Sequence, residues 1–158
     1  GYVGPIPVPV IIMLIAIVIT ALLMNKTKLG RHIYAVGGNT QAAVFSGIKV
    51  SKVKFIVHAY AGLMSGLAGI ILASRMYSGQ PTAGEGAEMD AIAAVVVGGT
   101  SMAGGSGKIG GTIIGALIIG VLNNGLNLMN VNSFWQDVVK GVVILLAVFI
   151  DYIRNKNA

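Results

Sequence analysis

Apolar residues in this chain come in long blocks, not in the stripes that recur every three or four positions along a soluble amphipathic helix. Pro5 to Met24 runs 20 residues without a charge, and a bilayer core of about 30 Å takes about 20 helical residues to cross. The prolines of that block cluster in its first turns, where a helix tolerates them best. Phe55 to Ala73 forms a second block, with His58 near one end, and Ile109 to Met129 a third. Phe134 to Ile150 is the fourth and carries Asp137 and Lys140 near its start.

A weaker segment, 90–103, lies between the second and third blocks. Glu88 and Asp90 are expected at or above the membrane interface, because an acid at mid-membrane costs about 2.5–3.5 kcal/mol. From Asp90 to Ser101 a helix would rise only about 18 Å, too little to cross alone. A short or broken helix is expected there, continued by the glycine-rich run from Gly98 to Gly107. Irregular backbone at membrane depth survives only where protein shields it or where it lines a water-filled path, which points to transport. The pattern therefore predicts an all-α integral membrane protein. It is a helical bundle with about five membrane segments, at 5–24, 55–73, 90–103, 109–129 and 134–150, one of them short or broken.

Composition agrees. Hydrophobic residues make up 55% and charged residues 10%, against roughly 25% charged in an average soluble domain. The 23 glycines fit membrane helices, where small residues let backbones approach closely. There are no cysteines, which removes disulfides and thiolate metal sites. The net charge of +6 raises nucleic acid as a partner, but its placement argues otherwise. The loop 25–54 carries Lys26, Lys28, Arg31, Lys49, Lys52 and Lys54 and no acid, so the positive-inside rule makes it cytoplasmic. Five crossings then put Lys108, Arg154 and Lys156 inside too. The region 74–90, with Glu85, Glu88, Asp90 and only Arg75, falls outside. The positive charge is a topology signal, and the partner it implies is membrane lipid. Starting Gly1-Tyr2-Val3, without a basic n-region or cleavage site, the chain is expected to be an internal piece of a longer protein.

Thirty residues is long for a plain connection between spans. Within the loop Asn39 is a good N-cap and Gly47 a good stop, so Thr40 to Ser46 is expected to form a helix of about two turns. So short a helix needs a surface to pack on, and Ala43, Val44 and Phe45 give it something apolar to bury. Physics leaves two readings open: a helix resting on the inner leaflet, or one docking into a groove of a cytoplasmic partner.

The stretch Gly30-Arg31-His32-Ile33-Tyr34-Ala35-Val36-Gly37-Gly38-Asn39, followed by Ala42-Ala43 and Ser46-Gly47-Ile48, resembles the cytoplasmic loop of ribose-type permeases of ATP-binding-cassette importers. Gln80 to Gly84, Asp90 to Ser101 and Leu122 to Leu128 resemble the same family. The likeness runs over nearly the whole chain and corresponds to the C-terminal half of such a permease. It implies a transport subunit, not an enzyme, of a bacterial inner-membrane importer for ribose or a related monosaccharide. The implied partners are a second permease subunit (a homodimer), cytoplasmic ATP-binding subunits that hydrolyse ATP, and an extracytoplasmic sugar-binding protein. Carried over by position, Gly37, Gly38, Asn39, Ala43, Phe45, Ser46 and Gly47 become the ATPase-coupling contacts. No cofactor or catalytic residue is implied.

Asn123, Asn124 and Asn127 lie late in the third block, where carboxamides facing lipid would be costly. Two uses remain open: hydrogen bonds between helices, or a polar lining along which sugar hydroxyls slide. The four-residue ladders Gly62/Gly66, Ala61/Ser65/Gly69/Ala73 and Gly107/Gly111/Gly115 read as helix-packing faces. Gly105-x-Gly107-x-x-Gly110 matches a dinucleotide fingerprint, but no strand precedes it. Lys108 completes no phosphate-binding loop, because Ile109 stands where Ser or Thr is needed. His32 and His58 lack the neighbours of a metal site. Arg75 is a candidate for docking the binding protein, or snorkels to the outer headgroups. The rival functions are a permease for branched-chain amino acids or another small solute, a secondary transporter or channel without an ATPase, and an inert scaffold.

Overall fold

A computed structural model describes residues 2–3, 5–77 and 79–156. Apart from one short pairing of β1 (Tyr2–Val3) with β2 (Ile6–Pro7), the described residues form helices and their connections, so the protein is all-α. Among the described residues four helical stretches are long and apolar enough to cross a membrane: Val8–Lys26, Val50–Met76, Ile109–Leu128 and Ser133–Ile153. The chain divides into two compact units, Gly1–Gly84 and Glu85–Ala158.

In the first unit α1 spans Val8–Lys26, with Pro7 extended ahead of it and Pro9 in its first turn. The helix starts later than position 5 because Pro7 restricts Ile6 to extended backbone. No α1 residue is buried within the chain, as suits a helix whose solvent is hydrocarbon. Thr27 breaks α1 from α2 (Lys28–Gly38): its hydroxyl donates to Leu23 O at 2.6 Å and accepts from Gly30 N at 3.2 Å. Gly30 lies against the Met24 carbonyl, and a Cβ there would sit 2.7 Å from Leu23 O, so only glycine allows this turn. Helix α2 was not foreseen from the sequence. Leu29, Ile33 and Val36 nevertheless fall at i, i+4 and i+7 along it.

A two-turn α3 (Thr40–Phe45) follows, then α4 (Val50–Met76), which ends on Tyr77 in the left-handed region (φ 52°). The 27 residues of α4 make a rod about 40 Å long, so the turns carrying Lys52 and Lys54 reach past a 30 Å hydrocarbon core. Val36, Ala43 and Val53 form a small core with Ile33, Ile48 and Val50 around it, which knits α2, α3 and α4 together. Thr20 Oγ1 and Tyr60 OH, 2.6 Å apart, join α1 to α4.

The second unit holds α5 (Ala87–Val97), α6 (Ile109–Leu128) and α7 (Ser133–Lys156). Helices α5 and α6 run antiparallel at backbone contact. A Cβ on Gly115 would strike the Ala94 carbonyl and lie 2.8 Å from Gly98 N, and one on Gly98 would strike the Gly111 carbonyl. Ala93, Ala94 and Ile119 are the core, packed by Val97 from α5 and by Val143 and Ile144 from α7. The ladder through Gly111 and Gly115 is thus a packing face, whereas Gly62, Gly66 and Gly69 of α4 meet nothing within 4 Å.

One expectation changes here. The weak segment is helical over Ala87–Val97, not 90–103. Its glycine-rich continuation starts where Gly98 meets Gly111, level with the first turn of α6. Ser101, 7% exposed, fixes that loop: its hydroxyl donates to Asp151 Oδ2 at 2.9 Å and accepts from Ala103 N at 3.3 Å. Asp90 stands in the first turn of α5. It lies level with Asn123, five residues before the end of α6, about 7 Å inside that helix. Lys140 and Asn123 partner its carboxylate there.

Candidate functional site

The loop helix α3 is built by local chemistry. Asn39 Oδ1 accepts from Ala42 N at 2.9 Å, which satisfies one of the first unpaired amides of the helix. Gly47, at φ 78°, turns the chain out of it. Ala43 is 3% exposed and faces the Val36–Val53 core, so it seats the helix and is unavailable to an outside partner. Val44 is 56% exposed and Phe45 90% exposed. Gly37, Gly38, Asn39, Ser46 and Gly47 are exposed around them. The result is an apolar tip on a braced, capped helix. Burying a phenylalanine contributes roughly 1.5–3 kcal/mol, so this exposure is a surface that gains by being covered.

In the second unit a polar cluster joins three helices. Lys140 Nζ on α7 stands 2.9 Å from Asp90 Oδ1 on α5 and 3.8 Å from Asp137 Oδ1, one turn back on α7. The Lys140 and Asp90 side chains are 12% and 32% exposed. Asp90 Oδ1 is buried, and the Lys140 ammonium at 2.9 Å is the group that neutralises it. Asn123 Nδ2 on α6 donates to Asp90 Oδ2 at 2.8 Å, while Asn123 Oδ1 is buried with no hydrogen-bond partner among the described residues. Asn127 Oδ1 accepts from Gln136 Nε2 at 2.9 Å. Asn123 and Asn127 therefore bond between helices, while Asn124 lies on the exposed side of α6. Arg75 is exposed in the last turn of α4. His58 Nδ1 meets Lys54 O of its own helix at 2.8 Å.

The sequence reading missed the Asp90–Lys140 pair. The one available signal was that an acid and a base, each near the start of an apolar segment, cannot both face hydrocarbon unpaired.

The family model described as "Branched-chain amino acid transport system / permease component" matches residues 2–148. The chain belongs to this family. Among its relatives, the ribose import permease protein RbsC of Bacillus subtilis is 61% identical over 100% of this chain and 48% of that protein. RbsC of Escherichia coli K12 is 58% identical over 92% of this chain and 46% of that protein. The xylose transport system permease protein XylH of Haemophilus influenzae is 49% identical over 96% and 40%. The chain spans about half the length of these curated relatives. No solved structure matches it significantly. As a member of this permease family with four membrane-length helices among its described residues, the chain is a multi-pass plasma-membrane protein.

Proposed function

We propose that this chain is part of the permease subunit of an ATP-driven importer that carries ribose or a related monosaccharide into the bacterial cytoplasm. A second, identical permease subunit completes the path, and an extracytoplasmic sugar-binding protein delivers the cargo. ATP is hydrolysed on separate cytoplasmic subunits. The observation that carries this reading is Phe45: a large ring, 90% exposed, at the tip of a helix capped by Asn39 and seated by Ala43. An apolar tip on a rigid support fits a groove in a partner, and the basic loop around it is the cytoplasmic side of the chain. When the ATP-binding subunits close, they push α3, and α2 and α4 pass the movement to the membrane helices through the Val36–Ala43–Val53 core.

Ribose and xylose, named by the relatives, are both pentoses, which favours a sugar. The family description favours a second reading, a permease for branched-chain amino acids. Labelled-ribose uptake decides between them, using cells without their own ribose permease that are given the complete reading frame, the cognate ATPase and the binding protein. Uptake blocked best by unlabelled pentoses supports the sugar reading. No labelled-ribose uptake, with labelled leucine or isoleucine taken up instead, sinks it.

A further inference from the structure

At the end of the second unit where α5 and α7 begin, a cavity of about 740 Å³ opens between the two helices. Its wall carries the carboxylates of Glu85, Glu88 and Asp137, the amide of Gln136, the ring of Phe134 and the ammonium of Lys140. The opposite end of the unit holds Lys108 and the positions of Arg154 and Lys156, so the positive-inside rule turns the cavity outward. We propose that this cavity is a transit site for a neutral, polyhydroxylated ligand, a pentose on the reading given above, on which the proposal rests.

The chemistry of the wall selects that class. Ionised carboxylates only accept hydrogen bonds, and a sugar hydroxyl donates. Gln136 Nε2 already donates to Asn127 Oδ1 and to Val131 O, both at 2.9 Å, so what it has left for a ligand is its carbonyl oxygen, another acceptor. Lys140 is held by Asp90 at 2.9 Å and Asp137 at 3.8 Å, so no uncompensated cation is present to select an anion. Among the described residues no three acidic or histidine side chains converge closely enough to hold a metal ion. Phe134, 79% exposed, offers an apolar face for the C–H side of a sugar ring. Volume argues for weak binding, since the cavity has room for a pentose and several waters. That suits a carrier that must release its cargo inward.

Saturation-transfer NMR on the complete permease in detergent, without its binding protein, tests the site with the pentose that competes best in uptake. The wild type is expected to transfer saturation to the sugar. Glu88→Gln combined with Asp137→Asn, two exposed and nearly isosteric changes, is expected to weaken binding about tenfold or more, as loss of hydrogen bonds to charged groups does. Phe45→Asp, in the other unit, is expected to bind sugar like the wild type while failing to import it. Equal signals from wild type and the double variant overturn the proposal, and so does the absence of a wild-type signal, which is what a cavity filled by the rest of the permease would give. Either result leaves the importer reading intact if uptake persists. If no pentose is imported at all, both readings fall together.

Discussion

Replacing Lys140 with Met removes the ammonium that neutralises Asp90 and leaves a carboxylate inside the helix bundle. Three facts set the size of the effect. The pair is close, at 2.9 Å, and Lys140 is only 12% exposed, but Asp90 is 32% exposed. Breaking a buried ion pair costs about 3–5 kcal/mol, because the partner left behind keeps its desolvation penalty. Partial exposure of Asp90 places this one near the lower end, about 3 kcal/mol. Asn123 Nδ2, at 2.8 Å, still supports the carboxylate but cannot neutralise it. Thermal melting of the complete permease in detergent is the assay, and for a protein about twice this length a loss of that size lowers Tm by about 4 °C. Asp90→Asn alone strands the ammonium near Asp137 and costs less. The combination of Asp90→Asn with Lys140→Met removes both charges and is expected to recover much of the loss, with a coupling of about 2 kcal/mol in the double-mutant cycle. If the two losses simply add, the residues act independently and the argument for a clamp across α5 and α7 is wrong.

Three further outcomes follow from the same contacts. Gly115→Ala drives a methyl into the Ala94 carbonyl and should destabilise by about 1–3 kcal/mol; Gly120→Ala, with nothing within 4 Å, should stay within about 0.5 kcal/mol, so equal melting of the two variants refutes the close α5–α6 crossing. Asn39→Ala removes the cap of α3 at a cost of about 1 kcal/mol and should slow uptake without changing membrane insertion. Asn39→Asp should restore uptake, and wild-type uptake by the alanine variant counts against a role for the cap. Ser101→Ala deprives Asp151 of a 2.9 Å hydrogen bond worth about 1.5–3 kcal/mol; limited proteolysis should then cut faster within 98–108, and an unchanged rate contradicts the fixed loop.

What the sequence made legible was local. Asn39 and Gly47 act over three or four residues of backbone, so their cap and stop could be named without a fold. The long apolar blocks spoke for themselves because lipid demands length and composition, not partners. Helix α2 was not legible because Gly30, Gly37 and Gly38 lower its helix propensity, and the core it packs on is built by α3 and α4 further along the chain. The glycine ladders looked alike in sequence and came out differently: Gly111 and Gly115 meet α5, while a Cβ on Gly62 or Gly66 would meet nothing within 4 Å among the described residues of the first unit. Small residues permit close approach, and only a neighbour makes it happen. Asp90 and Lys140 lie fifty positions apart, and no spacing rule reaches that far. Ala43 shows the limit of carrying contacts over by position. It belongs to the loop motif, yet it points inward and seats the helix.

The most direct test of the account is ATP hydrolysis coupled to sugar uptake in the fully reconstituted assembly, comparing wild type with Phe45→Asp. The account predicts that the variant inserts and accepts the loaded binding protein, but that uptake collapses and hydrolysis no longer responds to that protein. Uptake and stimulated hydrolysis at wild-type rates in the variant would contradict it, because the exposed tip of α3 would then play no part in coupling.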